Sequence, residues 1–115
     1  MDTEGRQQSN TVVVDIAGKV TIGYDVKMRD AIAEAREAGA QNILLNMRGV
    51  TRLDSSGIGE LVAAHASVTK AGGRLLLVAL PPKVATVLQI TNLLVILELF
   101  DNIDEAIAAL EGETD

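Results

Sequence analysis

Hydrophobic positions along the chain alternate between two kinds of spacing. Residues 11–16, Thr-Val-Val-Val-Asp-Ile, are rich in β-branched side chains and read as a strand. A short turn at Ala17-Gly18-Lys19 leads to a second apolar stretch, Val20-Thr21-Ile22, so the pair suggests a hairpin closed by Gly23. From Tyr24 the period lengthens. Met28, Ala31, Ile32, Ala35 and Ala38 fall on one helical face with charges opposite, and Gly39 supplies a C-terminal stop. Residues 42–47, Asn-Ile-Leu-Leu-Asn-Met, are almost continuously apolar, as a central strand buried on both faces should be. A loop over 48–53 then feeds a helix entered at Asp54-Ser55-Ser56-Gly57, with Ile58, Leu61, Val62, His65 and Val68 as its inner face. Gly72-Gly73 ends that helix, and 74–80 form another apolar strand. Pro81-Pro82 opens a third helix carrying Val84, Val87, Leu88 and Thr91 inward. A short strand is expected over 94–97 and a last helix over 102–110, with Ile103, Ala106, Ile107 and Leu110 buried.

The predicted order is therefore β-β-α-β-α-β-α-β-α. This is an α/β domain with about five strands in a mixed, mostly parallel sheet and about four helices. Residues 1–10 read as a flexible arm, 11–110 as the domain and 111–115 as a polar tail.

Composition narrows the function. At 115 residues the chain is one domain, long enough to bury its own core. It has no cysteine and a single histidine, His65, which excludes thiol chemistry and histidine-rich metal sites. With one tyrosine, one phenylalanine and no tryptophan it cannot build a stacking platform for single-stranded nucleic acid. Sixteen acidic against ten basic residues give a net charge of −6, which repels a phosphate backbone and an anionic membrane surface. No run is long or apolar enough to insert into a membrane, and the acidic start Met1-Asp2-Thr3-Glu4-Gly5 is no secretory signal, so a cytoplasmic protein is expected.

Catalytic constellations are poor. His65 sits on the apolar side of its helix without a second imidazole or a thiol to form a nucleophile–base pair. Gly57-Ile58-Gly59 is half of a dinucleotide fingerprint, but Val62 stands where the third glycine belongs. Asp101 and Asp104 are better placed to cap and solvate the last helix than to hold a metal. A non-enzymatic role follows.

One cluster stands out: Leu53-Asp54-Ser55-Ser56-Gly57-Ile58-Gly59-Glu60-Leu61. An acid and two hydroxyls stand at a helix entrance, where a single capping residue would suffice. Free N–H groups and the positive end of the helix dipole favour an anion there. A phosphoserine would add about −1.5 to −2 charges, changing one surface patch without altering the fold. Ile58 and Leu61 are candidates for apolar contact with a partner.

The segment from Ile43 to Leu61 resembles the signature of STAS domains, in particular of bacterial anti-sigma factor antagonists. The likeness extends through Gly72-Gly73-Arg74-Leu75, Pro81-Pro82-Lys83-Val84 and 88–100. The resemblance implies partner switching. An unphosphorylated antagonist binds an anti-sigma factor that is often also a serine kinase related to histidine-kinase ATPases, and so frees the sigma factor. Phosphorylation ends the interaction, and a metal-dependent, PP2C-type phosphatase restores it. The phosphoacceptor corresponds to Ser56, with Ser55 the second candidate. Asp54 corresponds to the acid that orients the acceptor loop, and Ser55, Gly57, Ile58 and Gly59 to the rest of the docking loop. Two positions depart from many phosphorylated members: Thr21 and Asn46 replace acids, removing negative charge near the acceptor. The resemblance names no cofactor, and a monomer is expected when free. Two further readings stay open, a constitutive accessory subunit of a transporter and a scaffold subunit of a stress-sensing assembly.

Overall fold

The computed structural model describes residues 11–23 and 25–112. The expected arm over 1–10, Tyr24 and residues 113–115 of the expected tail lie outside them. Within the described residues, four strands pair in the order β1-β2-β3-β4: β1 (Thr11–Val20), β2 (Asn42–Leu53), β3 (Leu75–Val78) and β4 (Glu98–Phe100). Every pairing is parallel, rather than mixed. The helices are α1 (Asp25–Glu37), α2 (Ser55–Lys70), α3 (Pro82–Ile90) and α4 (Ile103–Gly112), with a 3-10 turn at Leu93–Val95. No helix among the described residues is long and apolar enough to cross a membrane.

Four strands rather than about five result from the N-terminal segment. The expected hairpin is instead one ten-residue strand. Gly18, at φ +82°, absorbs the kink that sequence suggests is a turn. The register with β2 shifts between Asp15 and Ala17 and again between Gly18 and Lys19, so the two strands stay paired as far as Val20 and Leu53. The expected loop at 48–53 is the other half of this ribbon. Its bulges break the period-2 alternation, leaving only Val50 and Leu53 buried after Met47. Near the C-terminus, Asn92 turns the chain at φ +63°. The apolar run read as a strand over 94–97 therefore begins as the 3-10 turn, and pairing starts only at Glu98. The last helix extends two residues beyond the expected end, and Asn102 caps it by accepting the Glu105 N–H at 2.9 Å.

A monotonic strand order with right-handed crossovers places α1, α2 and α3 on one face of the sheet. The larger core lies there, where Val14, Ile16, Ile43, Leu45, Met47, Leu75 and Leu77 meet Met28, Ile32, Leu61, Val84 and Leu88. Only α4 follows the last strand, and it covers the opposite face through Ala106 and Leu110 against Leu44, Leu76 and Val78. Because the strands are parallel, the helices after β1, β2 and β3 all start at one end of the sheet, and the Ser55–Ser56 segment is among them.

Candidate functional site

The site forms where β1 and β2 end. Asp54 has extended backbone geometry (φ −116°, ψ −171°) and stands as the N-cap of α2. Its Oδ1 accepts the N–H groups of Ser56 at 2.9 Å and Gly57 at 3.2 Å. Its Oδ2 accepts the N–H of Ile22, 32 residues earlier in sequence, at 3.1 Å. The Asp54 N–H donates to the Val20 carbonyl at 3.4 Å, and its carbonyl accepts the Ile58 N–H at 2.9 Å. One residue thus fastens the β1–α1 connection to the first turn of α2. Partial desolvation pushes its carboxyl up, but the N–H donors from Ile22, Gly57 and Ser56 outweigh it and hold the group below the ordinary aspartate range.

Gly57 explains how closely α2 approaches. A Cβ there would lie 2.2 Å from the Val20 carbonyl oxygen and 2.7 Å from Leu53 Cδ1. The absent side chain lets the helix start press against both strand ends. At Gly59, by contrast, a Cβ would meet nothing within 4 Å. Gly59 is exposed, so no contact within the described chain demands a glycine there.

The structure brings the sequence-predicted residues 54–59 together at one corner, with Ser55 exposed and Ser56 half-buried. It changes two side-chain assignments. Leu61 is fully buried, so it belongs to the core and offers nothing to a partner. Ile58 is half-buried against the same core. The inner stripe of α2 is Gly57, Leu61 and Val68, leaving Val62 and His65 half-buried. It is turned from the expected face because the innermost position of the first turn is a glycine rather than Ile58.

The exposed apolar side chain beside the site is Ile22, which sequence reasoning folded into a strand; it is 77% exposed. Its signal was faint: an isoleucine two positions beyond the last paired residue, Val20.

Asn46 also has a local explanation. It sits on the sheet face opposite α2, its side chain alternating with those of Leu45 and Met47, rather than near the acceptor. Its Nδ2 donates to Asp15 Oδ1 at 2.9 Å, and its Oδ1 accepts the Arg48 N–H at 3.2 Å. A second carboxylate there would face Asp15 and repel it. Thr21, half-buried, precedes Ile22 in the connection that Asp54 fastens.

Along the flank of α2 that faces α1, the Arg29 guanidinium lies 3.8 Å from Glu60 Oε2, and Arg36 donates to the Ser67 hydroxyl. Between the helices runs a groove of about 240 Å³ floored by Ile32, Ala33, Ala63 and Ala64. Among the described residues, no three His, Asp or Glu side chains are grouped so as to hold a metal ion.

A sequence model of the STAS domain matches residues 2–106. The anti-sigma-B factor antagonist of Bacillus subtilis is 27% identical over 99 residues, covering 86% of this chain and 90% of that protein. Among solved structures, TM1081 of Thermotoga maritima superposes with a TM-score of 0.82 at 26% identity, over 89% of this chain and 88% of that one. Two others share the fold alone. SpoIIAA in its unphosphorylated form has a TM-score of 0.69 at 24% identity, over 90% of this chain and 92% of that one. A sulfate transporter family protein from Wolinella succinogenes reaches 0.76 at 24% identity, over 89% and 85%.

Proposed function

The chain belongs to the STAS domain family, and from that premise we propose that it is an anti-sigma factor antagonist that works by partner switching. The corner formed by Asp54, Ser55, Ser56, Gly57, Ile58 and Gly59 docks on an anti-sigma factor that is also a serine kinase, and docking frees the sigma factor. The kinase then phosphorylates Ser56. The serine Oγ forms a bond to the γ-phosphorus of ATP, the β–γ bridge breaks, ADP leaves, and the hydroxyl proton passes to a base on the kinase. A PP2C-type phosphatase hydrolyses the phosphoester and resets the protein, all in the cytoplasm. The antagonist itself catalyses nothing.

The observation that carries this reading is the Asp54 clamp. Its carboxylate already takes the N–H groups of Ser56 and Gly57, so the acceptor turn is fixed before any modification. A phosphate added to Ser56 finds those amides occupied and projects from a rigid corner. It acts by bulk and charge on a bound surface, and a loss of ~3 kcal/mol is more than a hundredfold in affinity. Solved structures of SpoIIAA in both unphosphorylated and phosphorylated forms support a fold that tolerates the group.

The test is affinity purification from the native cell with mass spectrometry of phosphosites and partners. The reading expects phosphate on Ser56 and an ATPase-type anti-sigma factor enriched on Ser56→Ala. The likeness to a transporter-family domain favours a second reading, a constitutive accessory subunit. A transporter captured equally by wild type, Ser56→Ala and Ser56→Asp would establish that one instead.

A further inference from the structure

Ser56 heads a stripe of α2 that continues through Glu60, Ala63 and Ser67, residues spaced so that they share one side of a helix. Glu60, Ala63 and Ser67 line the groove facing α1, which places Ser56 at its mouth. Arg29 stands across the groove, one turn into α1 as Glu60 is one turn into α2. The Arg29 side chain is 55% exposed and its contact with Glu60 is 3.8 Å, a loose pair that exchanges readily.

We propose that Arg29 is the intramolecular counter-ion of a phosphate on Ser56, leaving Glu60 to receive it. The proposal rests on the reading that Ser56 is the modified residue. Three physical steps lead to it. First, the amides of the acceptor turn are held by Asp54, so the phosphate must find its positive partner elsewhere. Second, Ser56 and Glu60 stand about 6 Å apart along the helix axis, a shift that a long flexible side chain spans without moving its backbone. Third, a phosphate carries about −1.5 to −2 charges and three acceptor oxygens, against a single charge on Glu60, and suits the planar guanidinium fork. The exchange also uncovers the Glu60 carboxylate. The phosphorylated surface is then a rearranged one, with the phosphate drawn towards the groove and a freed acid one turn further along.

Among the described residues, other charged groups at this end of the sheet include Asp54 at the cap, Lys19 and Arg52 at the ends of β1 and β2, which are register partners of each other, Lys27 in the first turn of α1 and Lys83 in the first turn of α3. Arg36, lower in the groove, is engaged with Ser67. Arg52 therefore serves as the control cation.

Phosphoserine is installed at position 56 during translation, so the experiment needs no kinase. The second ionisation of the phosphate is followed by ³¹P NMR in the full chain, and in Arg29→Gln, Glu60→Gln and Arg52→Gln backgrounds. Arg29→Gln should raise that pKa by about half a unit, Glu60→Gln should lower it, and Arg52→Gln should move it less than Arg29→Gln does. The Arg29 Nε–H resonance should shift between the serine and phosphoserine forms. Arg29 is exposed, so the variant should fold with an unchanged melting temperature. A pKa unaffected by Arg29→Gln, or moved more by Arg52→Gln, overturns the proposal. If the pairing appears but Ser56 is never modified in cells, the counter-ion assignment stands and the partner-switching reading falls.

Discussion

The two sides of the first turns of α2 obey opposite constraints. On the inner side, Gly57, Leu61 and Val68 are dictated by packing: a Cβ at Gly57 would enter the Val20 carbonyl, and Leu61 is wholly buried. On the outer side, Ser55 and Gly59 are exposed, and nothing in the described chain needs a bare backbone at Gly59. A glycine in an exposed helix costs about 1 kcal/mol relative to alanine. Stability explains the inner stripe and disfavours the outer one. The outer side is therefore where selection for something other than folding has to be sought, and it adjoins the proposed phosphoacceptor, the half-buried Ser56.

The contrast can be broken most severely from within. Gly57→Ala forces a methyl into the junction of α2 with the ends of β1 and β2, and should destabilise the domain by roughly 3 kcal/mol. Chemical denaturation checks it; a loss under about 0.5 kcal/mol would mean that the helix start slides away without cost. Next in size is the clamp. Asp54→Ala removes the cap and the tie to Ile22, and should lower the melting temperature by roughly 5 °C. Hydrogen exchange at Ile22, Ser56 and Gly57 should rise together, because one carboxylate holds all three.

Acid tests the same residue by charge alone. The Asp54 carboxyl is lowered in the folded protein, so the folded state binds fewer protons here than the unfolded one. Its contribution is complete above the ordinary aspartate value of about 3.9 and is lost as pH falls through the folded value. Thermal melts between pH 7 and about pH 3 should show a smaller acid-induced loss in Asp54→Asn than in the wild type. Equal losses would remove Asp54 from the account of acid sensitivity.

The smallest effect separates the two stripes most cleanly. Gly59→Ala should stabilise the free domain by about 0.5–1 kcal/mol while weakening capture of an anti-sigma factor, because the added methyl meets only a partner. Stabilisation without any loss of capture would place Gly59 outside the docking surface.

Much of this was legible in the sequence. The α/β alternation, the helix entrance at Asp54 and the inward positions Met28, Ile32, Val84 and Leu88 follow from period and capping alone, because each depends on neighbours within a turn or two. What escaped depends on distant partners. Gly18 reads as a turn, and only pairing with β2 makes it a bulge. Residues 48–53 read as a loop, since two register shifts erase the alternation that marks a strand. At the site, Asp54 was readable as a cap, but its bond to Ile22 spans 32 residues, and no local pattern announces it. The Arg29–Glu60 pair escaped for the same reason, while Leu61, which its period rightly places on the inner face of the helix, was also offered as a partner contact because its neighbours carry the functional pattern.

The central claim is that a phosphate on Ser56 switches docking off, and the direct measurement is the affinity of one anti-sigma factor, purified from the same organism, for the serine and phosphoserine-56 forms by calorimetry. The account predicts tight binding of the serine form and a loss of more than about a hundredfold on phosphorylation, with both forms equally folded. Equal affinity for the two forms would contradict it.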